Sequence, residues 1–206
     1  MYIPEAFRED DPARLAALMA QASFALVVTT EADGVPFATH LPLLHEPAAG
    51  AHGTLLGHMA RANPQWRHFE AGGQVLAVFS GPHAYVSPSW YQTHPSVPTW
   101  NYAAVHAYGR PALLDEAATR ALLQRLVATH EAGYEAPWRM ELPAKYEAMM
   151  LRGIVGFEIP IDRLEGKFKL SQNRDATDRG NVAAKLAGSA YDEARGVARL
   201  MRERDG

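Results

Sequence analysis

The chain has 206 residues, 48% hydrophobic and 21% charged, with a formal net charge of −3 and no cysteine. That is an ordinary globular composition in a chain long enough to bury a core, and it excludes disulfides, thiolate metal sites and a globally basic nucleic-acid footprint. The opening MYIPEAFREDDP has neither the basic nor the apolar region of a secretory signal, and no apolar run nears the roughly 20 residues of a membrane span, so a cytoplasmic protein without membrane association is expected.

In chain order, a first helix is expected after Asp11 as cap, with Pro12 in its first position and Leu15, Leu18, Met19 and Ala22 on one face. The run FALVVTT (24–30) reads as a buried strand, Asp33-Gly34 as a hairpin turn, and VPFATHLPLL (35–44) as the returning strand. GTLLGHM (53–59) is a third strand. Asn63-Pro64 is expected to open a short helix that Gly72-Gly73 ends. QVLAVFSG reads as a fourth strand and HAYVSP as a fifth.

Over 99–114 the period of two puts Trp100, Tyr102, Ala104, His106 and Tyr108 on one face and the mostly small Asn101, Ala103, Val105, Ala107 and Gly109 on the other, which implies close packing on the small face. A long helix follows from Asp115, with Leu122, Leu123, Leu126, Val127 and His130 as its stripe and Gly133 as its stop. Pro143 starts another, ending near 152. GIVGFEIPI (153–161) and FKLSQN (168–173) read as separate extended segments, and the last thirty residues as helix broken near Gly188. Short strands with a few helices argue for an antiparallel barrel with helical additions, an α+β fold.

Residues 57–109 hold three of the four tryptophans and five of the nine histidines, punctuated by proline and glycine. Rigid aromatic loops suit either a pocket for a flat ligand or an interface between subunits. The histidines have no HExxH or HxH spacing, so no metal site is expected, and GxSxG, GxGxxG and P-loop signatures are absent. No catalytic residue is assigned. The arginines of the last helix are offset by Asp192, Glu193 and Glu203 and read as a solvated face.

Several blocks in order, namely MYIPEAF, HLPLL, LLGHMARANPQW, FSGPHAYVSPSWY, VPTWNYAAVHAYG and GKFKLSQNR, resemble the PaiB-like family, known as FMN-binding negative transcriptional regulators. The resemblance implies an antiparallel split β-barrel related to pyridoxamine-phosphate oxidase and the flavin reductases, a homodimer, and FMN as cofactor. It suggests residues 1–173 as the split-barrel domain with inserted helices and 174–206 as a helical tail packed on it. Three functions follow as alternatives: a flavin-dependent oxidoreductase or sensor, a transcriptional regulator without flavin that contacts DNA, and a haem-binding or haem-degrading barrel.

An FMN phosphate needs cationic donors and free N–H groups. By the resemblance Arg61 is assigned to it, with His58 and the Ala62 and Asn63 backbone beside it at a strand-to-helix junction. Thr39 and His40 lie on a strand expected to run beneath the isoalloxazine. Trp100 would stack on the ring and Asn101 bond its pyrimidine edge. Lys167 and Lys169, two apart on one strand face, would stabilise the anionic reduced ring, with Gln172 as an amide contact.

Overall fold

A computed structural model of the chain describes residues 1–205. In order the elements are β1 (Arg8–Glu9), α1 (Pro12–Gln21), β2 (Phe24–Thr30), β3 (Pro36–Pro42), β4 (Leu44–Glu46), β5 (Thr54–Ala60), α2 (Trp66–Glu70), β6 (Val75–Val86), β7 (Thr99–Gly109), β8 (Ala112–Leu113), α3 (Glu116–Glu131), α4 (Ala144–Arg152), β9 (Ile154–Lys169), α5 (Ala176–Ala187) and α6 (Asp192–Asp205). The strand order is β3-β2-β6-β7-β9-β5-β4, with β1 and β8 each on β9. The pairs β2–β3, β2–β6, β4–β5 and β5–β9 are antiparallel, as expected. None of the described helices is long and apolar enough to cross a membrane.

The chain forms two compact units, and β6, β7 and β9 each belong in part to both. The larger comprises Ala22–Phe79 and Ala107–Leu164. Its β2–β3 hairpin turns at Gly34, whose φ of 88° favours glycine, and Glu31 N–H closes the turn on the Val35 carbonyl at 2.8 Å. The returning strand is two strands rather than one. Leu43 is buried, and its N–H reaches the Ser23 carbonyl at 2.8 Å; beyond it the chain leaves β2 and pairs with β5 as β4. β3 also lies close to β5, bringing opposite ends of the strand order together. Phe69 packs edge-on against Phe157 at 5.1 Å in the core.

Asp115 caps α3, accepting the Ala118 N–H at 2.7 Å. The buried row is Thr119, Leu122 and Leu126; His130 is exposed, contrary to the expected stripe. Thr119 joins the row at the N-terminal end of the helix, where Gly156 of β9 leaves room for its side chain.

The smaller unit comprises Met1–Gln21, Ser80–His106 and the chain from Glu165 onward. α1 buries Leu15, Leu18 and Met19, and α5 packs on α6, which buries Val197, Ala198 and Met201. Two expected pairs of segments are continuous strands. β6 runs through Gly81-Pro82, where a Cβ on Gly81 would stand 2.6 Å from Leu18. β9 runs sixteen residues to Lys169, and a Cβ on Gly166 would stand 2.5 Å from the Glu9 carbonyl of β1. Glycine at these close approaches holds the ladder together where the sequence reads as a break. On β7 the small face, Asn101, Ala103, Val105, Ala107 and Gly109, is buried.

Candidate functional site

The turn after β5 carries a connected polar cluster in the larger unit. Asn63 donates from Nδ2 to the Thr39 hydroxyl of β3 at 3.0 Å and accepts the Gln65 N–H on Oδ1 at 3.0 Å. Its own N–H bonds the Ala60 carbonyl at 2.9 Å. Gln65 is fully buried, and its amide donates to the Val27 carbonyl (2.9 Å), the Thr29 hydroxyl (3.2 Å) and the Phe37 carbonyl (3.2 Å). Thr29 in turn meets His68 Nδ1 at 2.8 Å. Sequence reading missed Gln65, Thr29 and His68; nothing but a glutamine placed straight after Asn63-Pro64 hinted at them.

The helix after this turn differs from expectation. α2 starts at Trp66, has Gln65 as its N-cap without a side-chain bond, and is five residues long. So short a helix contributes little macrodipole, so an anion here would depend on side-chain charge and free turn N–H groups. Among the described residues the Ala62 N–H has no hydrogen-bond partner, whereas that of Asn63 is spent.

Arg61 is rigidly held. Its N–H donates to the Gly153 carbonyl at 2.8 Å, its Nε to the Arg152 carbonyl at 2.9 Å and its Nη2 to the Ile154 carbonyl at 2.8 Å. Trp66 donates to the Arg61 carbonyl at 3.0 Å, and its ring lies 6.0 Å from the guanidinium. Both side-chain acceptors are neutral carbonyls, and among the described residues no carboxylate pairs with the guanidinium.

His58, opposite Gly156 in the β5–β9 register, keeps Nδ1 buried and without a partner among the described residues. Burial pushes its pKa below the ordinary 6.5. His40 is exposed and stacks on Phe24 at 5.8 Å. Strand alternation puts it on the opposite face of β3 from Thr39, so Thr39 and Asn63 are brought together and His40 is not part of that cluster.

The remaining sites lie in the smaller unit. Trp100 is half exposed, meets His83 at 5.9 Å and Tyr85 at 6.3 Å, and walls a groove of about 570 Å³ with Trp90, Leu186 and Tyr191. Asn101 points to the other face, is fully buried, and donates to the Ser171 hydroxyl at 2.8 Å. Gln172 closes the end of β9 on its own backbone, accepting the Leu170 N–H and donating to the Phe168 carbonyl. Lys167 is buried and donates to the Tyr2 carbonyl at 3.0 Å; Lys169 donates to the Thr99 hydroxyl. Burial, and then the charge of Lys167, holds the Lys169 pKa below its ordinary value.

Comparison with known proteins places this geometry in context. The family described as "Putative FMN-binding domain" matches residues 1–163. The chain is 41% identical to the Protease synthase and sporulation protein PAI 2 of Bacillus subtilis, over 99% of this chain and 98% of that protein. Among solved structures it resembles the FAD and Heme binding protein from Mycobacterium smegmatis (TM-score 0.63, 18% identity, 88% of this chain and 80% of the other). It also resembles the Flavocytochrome Anf3 from Azotobacter vinelandii (TM-score 0.63, 19% identity, 84% and 75%). At such identities the likeness is one of fold, and it agrees with the expected antiparallel split barrel.

Proposed function

Because the chain belongs to the PaiB-like family of FMN-binding domains, we propose that it binds FMN with the phosphate at Arg61 and the Ala62 N–H. The observation that carries this is the state of Arg61. Two neutral carbonyls fix its fork, and no carboxylate cancels its charge among the described residues. A guanidinium held this way keeps outward donors for an anion and loses little side-chain freedom on binding one. The free Ala62 N–H is a neighbouring donor. Asn63 holds the turn by its bond to Thr39, and burial of His58 disfavours its charged form.

Bound FMN would supply one- or two-electron redox chemistry. The name of the Bacillus relative, which refers to protease synthase and sporulation, favours a regulatory output over a metabolic one. The reading is therefore a flavin-sensing regulator, working as a homodimer.

Fluorescence quenching with FMN and riboflavin, on the unmodified protein and on Arg61→Ala, tests the site. Arg61→Ala should weaken FMN by about tenfold to a hundredfold, the worth of a charge-assisted contact, and leave riboflavin nearly unchanged. Equal losses for both flavins would mean that Arg61 only braces the carbonyls of Arg152 and Ile154, and the phosphate assignment would be abandoned.

A further inference from the structure

The groove beside Trp100 lies wholly in the smaller unit, between the second half of β6, the start of β7 and the junction of α5 with α6. Its volume of about 570 Å³ suits a small fused-ring molecule. Large aromatic side chains stay open to solvent around it: Tyr85 is 49% exposed, Trp100 52% and Tyr191 77%. Apolar surface gathered round one cavity in this way marks a binding surface, because it leaves area that a ligand can remove from water.

The walls are of two kinds. Trp100 is braced, its ring 5.9 Å from that of His83 and 6.3 Å from that of Tyr85. Trp90 and Tyr191 also line the groove but touch no other ring among the described residues. Leu186 and Ala194 are buried and add aliphatic surface. A flat ring system gains on both kinds of wall, through offset or edge-on ring contact together with apolar burial.

The polar groups of the groove favour an acceptor. Lys185 is exposed there and has no acceptor for its ammonium among the described residues. The indole N–H groups of Trp90 and Trp100 have none either. The acid that lines the groove, Glu193, already faces His83 Nδ1 at 3.7 Å. The unmatched charge is therefore positive, and the unmatched hydrogen-bonding capacity is that of donors.

We propose that this groove binds a planar aromatic carboxylate, with its fused rings against Trp90 and Trp100 and its carboxylate at Lys185. An exposed ion pair is a modest contact, so ring burial supplies most of the affinity and Lys185 supplies the selectivity for an anion. The inference goes beyond the Arg61 reading and does not depend on it.

The probe is 2-naphthoate, titrated by calorimetry into the full chain, with 2-naphthamide as its uncharged counterpart and 2-naphthylmethylammonium as its cationic one. Saturable binding of naphthoate is expected, about fivefold tighter than that of the amide, and Lys185→Met should erase this preference without weakening the amide. Trp100→Leu should weaken both by about tenfold. Thermal melting checks that the variants are folded, and the exposed Lys185 position keeps the test open should Trp100→Leu not fold. Saturating FMN should leave naphthoate binding unchanged. Competition by FMN would give the groove to the flavin and overturn the proposal while leaving the Arg61 phosphate reading intact. Equal losses of FMN and riboflavin in Arg61→Ala would end that reading and leave naphthoate binding as it was. Absence of saturable binding, tighter binding of the ammonium, or a preference for naphthoate that survives Lys185→Met would each overturn the site. So would a change from dimer to monomer on sedimentation of Trp100→Leu, since the groove would then be a contact between two copies of the chain.

Discussion

Gln65 Nε2 donates to the Val27 carbonyl at 2.9 Å, tying the turn after β5 to the strand β2 thirty-eight residues earlier. The same amide reaches Thr29 and Phe37, so one buried side chain fastens the β2–β3 hairpin to the Arg61 corner. Gln65→Leu keeps the volume and strands these acceptors. It should cost about 2–4 kcal/mol, given about 1–3 kcal/mol for each buried polar group left unpaired. Urea unfolding measures this, and a loss under about 0.5 kcal/mol would show that the bonds contribute nothing net.

Gly156 and Thr119 form a second coupled pair. A Cβ on Gly156 would come within 2.4 Å of the Thr119 Oγ1 and 3.0 Å of its Cβ and Cγ2. Gly156→Ala should therefore destabilise by about 1–3 kcal/mol, the usual cost of overpacking. Adding Thr119→Ala should recover part of that loss. A double-mutant cycle in denaturant reads the coupling, and strictly additive effects would argue that α3 simply shifts away from β9.

The Asp115 cap is a local test. Its carboxylate accepts the Ala118 N–H at 2.7 Å at the start of α3. Asp115→Ala should cost about 1 kcal/mol and Asp115→Asn much less, because asparagine also caps. Thermal unfolding of the two variants should separate them; identical melting would remove the cap from the account.

His58 sets a pH dependence with a definite sign. Burial lowers its folded pKa below the unfolded value of 6.5, so between the two the unfolded chain binds a proton that the folded chain refuses. Stability from this group is full above pH 6.5 and declines as pH falls through the folded pKa. The slope of stability against pH on the acid side should be shallower in His58→Gln. Parallel curves for the two proteins would place the acid sensitivity in other groups.

Much of the fold was legible because its cause is local. Periodicity and β-branching determine β2, an Asp-Gly turn determines the hairpin, and a capping aspartate determines where α3 starts. The buried small face of β7 also follows from alternation alone. Long-range packing, by contrast, decided where strands stop. Gly81 and Gly166 look like interruptions in the sequence, yet each admits a close neighbour that keeps β6 and β9 continuous. Leu43 reads as mid-strand, but beyond it the chain leaves β2 and pairs with β5, which divides the run into β3 and β4.

The candidate site divides in the same way. The family resemblance, together with their charge and hydrogen-bonding capacity, drew attention to Arg61, Asn63 and Lys167, because those capacities are properties of the side chain. Partners are not. That Arg61 is held by carbonyls, that Gln172 spends its amide on β9 and Asn101 gives its own to Ser171, and that Lys167 is buried without a counter-ion became visible only in the tertiary structure. Free donors and missing counter-ions depend on residues that the chain brings together from distant positions, and no local pattern encodes that distance.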